Sequence, residues 1–285
     1  LSFGQTPITQ SNIYQAVELW MESPAIAQEQ YGNISEWDVS DVISMSQLFL
    51  GGVSGHFNED ISGWDVSNVI SMGGMFSQNI SFNQDISGWD VSSVVSMDGM
   101  FRGAISFNQD ISGWNVSNVI SMEDMFKGAI SFNQDISGWD VSSVENMGGM
   151  FFGTYNFNQN LGNWDVSDVV NMSEMLISSG LSTLNYDSLL CGWSQLDLNL
   201  GLYFSASSEY CNCSEARQYI INNFYWFIFD EGLSEENCSE TEIKEFTSTK
   251  NLIKTKDILG RETKNKGFQL HIYDDGSVEK KYVIE

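Results

Sequence analysis

Basic residues are scarce in this chain of 285 residues, which has 12 Lys and Arg against 38 Asp and Glu and a net charge of −26. Only Arg102, Lys127 and Arg217 precede position 244, so the last 42 residues hold the other nine. A surface this acidic repels phosphate backbones and anionic lipid headgroups. Nucleic acid is therefore not an expected partner, and the step in charge predicts a boundary between an acidic body and a tail.

A long apolar run is also missing. No stretch approaches the roughly 18 apolar residues that cross a bilayer, so no transmembrane segment is expected. The sequence does not begin with Met, and Leu1-Ser2-Phe3-Gly4 looks like the end of a signal peptide's apolar region and cleavage site. We interpret residues 1–4 as a signal-peptide remnant, which predicts an extracellular protein.

Cysteine is absent from the first 190 residues and then occurs four times, at Cys191, Cys211, Cys213 and Cys238. An even number confined to one stretch favours disulfides in an extracellular module, with three possible pairings. Free thiols are the alternative. Zinc is the weaker interpretation, because Cys-x-Cys is not the spacing of zinc knuckles and the nearest His after these cysteines is His271.

The dominant feature that is present is an internal repeat. Aligned on Trp, each unit reads Trp-Asp/Asn-Val-Ser-x-Val-x-x-Met-x-x-Met/Leu-Phe/Leu and then Phe-Asn-Gln/Glu-Asp/Asn-Ile/Leu. A fixed period is typical of repeat architectures, whose units bury their apolar faces only by stacking. The tryptophans recur at 25-residue intervals after a first interval of 27, at Trp37, Trp64, Trp89, Trp114, Trp139 and Trp164.

Two apolar periodicities alternate within each unit. Val94, Met97, Met100 and Phe101 have helical spacing, which predicts a short helix. The segment from Phe107 to Trp114 combines apolar and turn residues, which predicts a brief strand beside a bend. The expected fold class is thus an α/β repeat solenoid, a leucine-rich-repeat-like stack of short parallel strands and short helices with capping modules.

The regions around the repeats predict caps and a tail. Ser11 is the expected N-cap of a helix on which Ile13, Ala16, Val17 and Trp20 share a face, ending before Pro24. After the repeats, 186–193 and 215–222 are expected as helices, with strands at 201–204 and 225–230. The expected organisation is a helical cap at 5–33, a six-coil solenoid at 34–176, an α/β cap with cysteines at 177–230, an acidic linker at 231–249 and a β-hairpin tail at 250–285.

The tandem Trp-Asp-Val-Ser-x-Val-x-x-Met-x-x-Met-Phe and Phe-Asn-Gln-Asp-Ile-Ser blocks resemble the 25- to 26-residue repeats of the BspA-like, leucine-rich-repeat-related family of bacterial surface proteins, over about residues 5–230. That resemblance implies an extracellular binding role, as adhesins occur in the family. The tail, Lys250-Asn-Leu-Ile-Lys followed by Ile272-Tyr-Asp-Asp-Gly-Ser-Val, looks like a C-terminal type IX secretion sorting signal, which implies the secretion machinery as a partner. Independently, Asp275-Gly276 predicts a hairpin turn.

Two polar ladders are candidate sites. Asp60, Asp85, Asp110 and Asp135 could bind calcium, the one cofactor considered, but capping of local backbone N–H groups is favoured because Asn160 continues the row. An amide ladder is expected to make coil-to-coil hydrogen bonds in the interior; it comprises Asn58, Asn83, Asn108, Asn133 and Asn158.

No catalytic arrangement is favoured by the sequence. The chain has two histidines, His56 and His271, in different modules, and Glu123-Asp124 is the nearest departure from the repeat that could serve a glycan-active enzyme. The residues between the two Met positions vary from coil to coil and are expected to face solvent. The sequence therefore predicts a non-enzymatic surface protein that binds an extracellular protein or glycan, with a calcium-stabilised spacer as the alternative.

Overall fold

The computed structural model describes residues 5–51 and 56–234, and the strands over 252–257, 267–273 and 278–283. The chain divides into two compact units, Leu1–Cys238 and Ser239–Glu285. The expected signal-peptide remnant at 1–4, Cys238, and most of the expected linker lie outside the described residues. No helix among the described residues is long and apolar enough to cross a membrane.

The first unit begins with two helices, α1 (Ile13–Glu22) and α2 (Pro24–Tyr31). The expected apolar face of α1 is confirmed, because Ile13, Ala16, Val17 and Trp20 are all buried. The expected cap was wrong. The N-cap residue is Asn12, whose Oδ1 accepts a hydrogen bond from the Thr9 N–H at 2.8 Å, and Pro24 starts α2 because its fixed φ suits a first helical turn.

The repeats contain no helix where one was predicted. Met97, Met100 and Phe101 are buried as expected, but the segment is a chain of turns. The Met97 N–H donates to Ser121 O of the next coil at 3.0 Å, whereas the Met100 N–H donates back to Met97 O at 3.1 Å. Gly99 and Gly103 adopt positive φ (58° and 67°). Left-handed residues four apart interrupt the hydrogen-bond ladder of a helix, so spacing alone misassigned the conformation.

The predicted strand at Phe107–Trp114 is also absent, because the segment is irregular apart from a turn at Ser112-Gly113. Instead, successive coils pair as isolated parallel bridges at a position seven residues after each Trp. The solenoid class stays a prediction, but the coils pair through residues other than those of the expected strand. The bridges run from Ser44 through Ser71, Ser96, Ser121 and Asn146 to Asn171.

Aromatic and indole contacts bind each coil to its neighbours. Equivalent Phe rings stack from coil to coil, for example Phe101 on Phe126 at 5.6 Å between centroids. The buried Trp114 Nε1–H donates to Ile86 O of the preceding coil at 3.1 Å, and its equivalents do the same. Each tryptophan therefore packs in the core and also satisfies a backbone carbonyl that burial would leave without water.

The region after the repeats continues the stack in altered form. Strand β1 (Met172–Leu176) pairs in parallel with β2 (Tyr203–Ala206), which pairs with β4 (Phe227–Phe229), and β3 (Glu209–Tyr210) pairs with β5 (Gly232–Leu233). Helix α3 (Thr183–Trp193) precedes β2, and α4 (Ser214–Phe224) precedes β4. At the end of α3, Trp193 Nε1–H donates to Leu161 O at 3.2 Å, in the manner of the repeat tryptophans.

Backbone hydrogen bonds from Cys211, Asn212 and Cys213 to the Asp187 carboxylate and the Cys191–Cys213 disulfide hold this cap. Cys191 and Cys213 are disulfide-bonded, with Cα atoms 5.6 Å apart. The buried Asp187 carboxylate accepts backbone hydrogen bonds from Cys211, at 2.9 Å, and from Cys213. Asp187 thus fixes the chain beside the disulfide, a role that the sequence did not indicate.

A partly buried ion pair anchors α4 to the end of β4. Arg217 donates to both carboxylate oxygens of Asp230, at 2.7 and 3.0 Å, and Tyr186 donates its hydroxyl to the same group at 2.8 Å. Burial, followed by the Asp230 charge, raises the pKa of Tyr186 well above its ordinary value. The pair is satisfied on both sides, which a buried charge requires.

The second unit contains an antiparallel sheet of β6 (Leu252–Asp257), β7 (Gly267–Tyr273) and β8 (Val278–Val283), in that order. Strand β7 pairs with β8 from Gly267 opposite Val283 to Ile272 opposite Val278. The expected Asp275-Gly276 turn lies outside the described residues, although the two strands that flank it pair as adjacent antiparallel neighbours.

Candidate binding face

Polar side chains of successive coils meet along one partly exposed side, which we call the ladder face. It consists of two rows of residues, seven and nine positions after each Trp. The parallel bridges hold the first row in register, so that side chains of successive coils lie next to one another. The first row is Ser44, Ser71, Ser96, Ser121, Asn146 and Asn171, and the second is Ser46, Gly73, Asp98, Glu123, Gly148 and Ser173.

Hydroxyl and amide groups link neighbouring coils along this face. Ser46 Oγ lies 2.7 Å from Ser71 Oγ, and Asn171 Nδ2–H donates to Asn146 Oδ1 at 2.9 Å. These groups are only partly buried, so they remain within reach of solvent. The face therefore presents an array of donors and acceptors in fixed register.

Carboxylates interrupt this array in the middle coils. Asp98 accepts hydrogen bonds from the Ser96 hydroxyl at 3.0 Å, from the Ser121 hydroxyl and from the Glu123 N–H at 3.1 Å. Glu123 in turn accepts from Asn146 Nδ2–H at 3.1 Å. Side chains of three successive coils thus form one acidic network.

Asp124, next to Glu123 in sequence, forms the ion pairs of the middle coils. Its carboxylate lies 3.2 Å from Arg102 and 3.1 Å from Lys127, the two basic residues of the repeats. Asp124 has a positive φ of 54°, a conformation that Asp tolerates better than most residues. The side chains of Glu123 and Asp124 are therefore both held by residues of neighbouring coils.

The expected exposure of the variable residues was wrong at Gly148 and Gly149, which are buried. A Cβ at Gly149 would lie 2.2 Å from the Asp124 carboxylate, and one at Gly148 would lie 2.6 Å from the Asn171 amide nitrogen. At both positions a side chain of a flanking coil lies across the backbone and would have to move to admit a Cβ.

The aspartate ladder caps the backbone of its own coil. In Asp110, for example, Oδ1 accepts a hydrogen bond from the Ser112 N–H at 2.9 Å, and Asn160 accepts from Gly162 N–H in the same way. The hydrogen bond to the Ser hydroxyl, then that to the Ser N–H, lowers the pKa of each ladder carboxyl. Among the described residues, no group of three or more His, Cys, Asp or Glu could hold a metal ion. This geometry applies to Asp60, Asp85, Asp110 and Asp135.

The asparagine ladder makes coil-to-coil bonds at the surface rather than in the interior. The Asn108 N–H donates to Asn83 Oδ1 at 2.9 Å, and Gln109 Nε2–H donates to Asn83 O at 2.9 Å. Asn108 is half-buried, whereas Asn58, Asn83, Asn133 and Asn158 are exposed. Backbone pairing does not occur here, because side-chain amides bridge the coils instead.

The ladder face ends in exposed aromatic side chains that sequence reasoning missed. By strand register, Tyr203 and Phe227 occupy the positions of the first row in the last two layers. Their rings stack with centroids 4.7 Å apart, and Phe229 lies 6.4 Å from Tyr203. The three residues are 56, 50 and 58 % exposed. A strand was expected at 225–230, but its continuous run of aromatic and apolar residues carries no polar alternation that would have indicated which side chains face solvent.

The sequence matches the family described as "Mycoplasma protein of unknown function, DUF285" over residues 21–129 and again over residues 87–189. Together the two matches cover more than half of the chain. The chain belongs to this family. No curated protein and no solved structure matches it.

The DUF285 matches cover the repeats and reach into α3, so the tandem units are the part that places the chain in the family. A DUF285 repeat chain is consistent with a repeat-containing surface protein, and the Cys191–Cys213 disulfide is compatible with an extracellular location. The aromatic end of the ladder face lies beyond the matched residues. It therefore belongs to the part of this chain that the family does not describe.

Proposed function

We propose that this protein is a secreted cell-surface module that binds an extracellular protein or glycan, with adhesion as its role and without catalytic turnover. The BspA-like resemblance of the repeats supports this proposal, as does membership of a repeat family consistent with surface proteins. In the proposal, the buried Trp, Met and Phe ladders are scaffold. The ladder face is the recognition surface.

One observation carries the proposal, namely that the coils vary outside their buried core positions, and that the second row of the ladder face is among the positions that vary. Positions that stacking buries keep nearly the same residue in each coil, whereas the second row changes from Ser46 to Asp98 and Glu123. Binding residues tend to lie on such exposed, variable positions of a rigid scaffold. Asp124, one position beyond the second row, binds Arg102 and Lys127, and these ion pairs give the middle coils a charged surface that the other coils lack.

The proposal is tested by applying the full chain to arrays of matrix proteins and glycans, with and without calcium. We expect binding at micromolar concentrations, and at least about a fivefold loss in Asp124→Asn, equivalent to about 1 kcal/mol. Asp110→Asn is the matched control, because it removes the same charge while Asn can keep the local cap, as at Asn160. Absence of binding to every array class would refute the proposal.

We further propose that the tail addresses the protein to type IX secretion. Its surplus of basic residues and its antiparallel β6–β8 sheet set it apart from the acidic repeats and support a separate role. Deleting 248–285 should retain the protein inside the producing cell or its periplasm, detected by fractionation. Unchanged surface display of the shortened chain would contradict this role.

A calcium-stabilised spacer is the alternative function. Asp60, Asp85, Asp110 and Asp135 lie exposed in register. The Ser87 hydroxyl and N–H lower the pKa of Asp85, and the neighbouring charges of Asp110 and Asp60 act in the opposite direction. Calcium between coils would relieve that repulsion. A melting temperature that rises with calcium in the full chain, but not in Asp85→Asn, would favour the spacer over the binding module.

A further inference from the structure

The last two layers of the cap expose an alternating surface. From Leu202 to Glu209 every second residue is exposed or half-exposed, and the residues between them are buried. The neighbouring segment from Trp226 to Leu233 alternates in the same phase, and the Glu231 N–H donates to Ser208 O at 3.1 Å. Alternation puts residues two apart on the same side of an extended chain. We call this surface the aromatic-acidic face; its outward residues include Tyr203, Glu209, Phe227, Phe229 and Glu231.

The two kinds of side chain are separated along this face. Tyr203, Phe227 and Phe229 lie at one end, and Glu209 and Glu231 lie further along the same two segments. Glu231 follows Phe229 by two residues and Glu209 follows Tyr203 by six. These separations correspond to roughly 7 to 20 Å along an extended chain. That length would accommodate a short extended segment of another protein.

Every basic side chain among residues 5–234 is already paired within the chain. Arg102 and Lys127 contact Asp124, and Arg217 contacts Asp230. Glu209 and Glu231 are exposed and no basic residue of this part of the chain contacts them. Residues 5–234 therefore supply no cation that complements the charge of this face.

The chain itself pairs cations with aromatic rings. Lys127 Nζ lies 5.0 Å from the centroid of Phe152, and the Arg217 guanidinium lies 5.1 Å from that of Tyr210. Tyr203, Phe227 and Phe229 offer larger exposed ring area with no cation of residues 5–234 over them. A ring cluster with neighbouring carboxylates attracts a side chain that is both cationic and planar.

We infer that the aromatic-acidic face docks an extended, Arg- or Lys-rich segment of a partner protein. Basic side chains contact the Tyr203, Phe227 and Phe229 rings, and others pair with Glu209 and Glu231. The acidic body increases the encounter rate with such a segment by long-range attraction. This inference rests on the proposed binding function and specifies the partner's chemistry and the place of contact.

The test measures binding of the full chain to a fluorescent oligo-arginine peptide, a neutral Gly-Ser peptide of equal length and neutral oligosaccharides. We expect that oligo-arginine binds at micromolar concentrations and that the other two probes do not. Its binding should weaken as the salt concentration rises from about 50 to about 200 mM. Combining Tyr203→Ser, Phe227→Ser and Phe229→Ser should weaken binding at least about tenfold. Glu209→Gln with Glu231→Gln should weaken it about threefold and reduce the salt dependence.

Matched controls separate a local site from general acidity. Ile105→Ser, Ile130→Ser and Tyr155→Ser remove three other exposed apolar side chains, which are 42, 36 and 61 % exposed. Asp110→Asn with Asp135→Asn removes the same charge as the two glutamine substitutions. We expect both controls to change affinity less than about twofold. If the triple aromatic variant melts early, Phe229→Ser alone is used, with an expected loss of about threefold.

Three results would overturn the inference: equal loss in the aromatic and control variants, oligosaccharide binding that the aromatic variant abolishes, or self-association that it abolishes. The first indicates diffuse charge attraction, the second a glycan platform and the third a docking site for a second copy. Array binding that the aromatic variant leaves intact would reject the site while preserving the proposed function. No binding in either assay would reject both.

Discussion

Asn79 is a buried amide without a hydrogen-bond partner among the described residues. Its side chain is fully inaccessible, and neither Nδ2 nor Oδ1 makes a hydrogen bond. The equivalent positions of the next two coils are Ala104 and Ala129, both fully buried, and Thr154 follows. Thr154 donates its hydroxyl to Phe126 O of the preceding coil at 2.8 Å. We therefore predict that Asn79→Ala stabilises the protein.

The expected change in the free energy of unfolding is the balance of two opposing contributions. Two unpaired polar groups cost at least about 2 kcal/mol in total. Removing the amide leaves a small cavity, which costs roughly 1 kcal/mol at most in packing. The net gain expected for Asn79→Ala is about 1 kcal/mol. Asn79→Thr should gain at least as much, because its hydroxyl can donate to the Phe49 carbonyl, which is equivalent to that of Phe126.

The assay is urea denaturation followed by tryptophan fluorescence. All nine tryptophans belong to the Leu1–Cys238 unit, so the signal reports that unit alone. Ala129→Asn is the reciprocal control, since it introduces the same amide at an equivalent buried position, and it should destabilise by about 2 kcal/mol. A loss of more than about 1 kcal/mol in Asn79→Ala would refute the reasoning, because the amide would then be contributing a favourable interaction.

Three further predictions concern the cap, the acid stability and the core. Removing the Cys191–Cys213 disulfide, whose cysteines are 22 residues apart, should cost about 3 kcal/mol in urea unfolding without reductant; an unchanged midpoint would contradict this. Because hydrogen bonds lower the pKa of Asp110 below its ordinary 3.8, its stabilising contribution is complete above that value and is lost as pH falls through the lowered pKa. Asp110→Asn should make the free energy of unfolding fall less steeply as pH decreases. A pH dependence as steep as in the parent protein would argue against the capping role. Trp114→Phe leaves the Ile86 carbonyl unpaired and should cost about 2 kcal/mol; a loss below about 0.5 kcal/mol would mean that the carbonyl finds another donor.

Which residues are buried was largely predictable from the repeat, whereas their backbone conformation was not. The spacing of Val94, Met97, Met100 and Phe101 placed all four side chains in the core, where the structure has them. The same spacing suggested a helix, because local periodicity does not register bonds to the next coil. The positive φ at Gly99, shared by Asp124 at the equivalent position, is compatible with turns and not with a helix.

The candidate site was predicted less well than the core. Sequence variation drew attention to Glu123 and Asp124, but not to the convergence of Arg102 and Lys127 from two different coils on one carboxylate. Arg102 and Asp124 are 22 residues apart in sequence, so their contact depends on how the coils are stacked. The aromatic-acidic face was missed for the same reason, since Tyr203 and Phe227 become neighbours only when β2 and β4 pair.

The sequence by itself determined the repeat, its buried positions and its acidic character, because composition and a 25-residue period are properties of the linear chain. Capping by the aspartate ladder could also be inferred, since Asp110 bonds to Ser112 only two residues away. Tertiary structure alone decided the register between coils. It therefore decided where parallel bridges form, which carboxylates gain cations, and that Tyr203 and Phe227 stack in solvent, because each depends on contacts between residues that are distant in sequence.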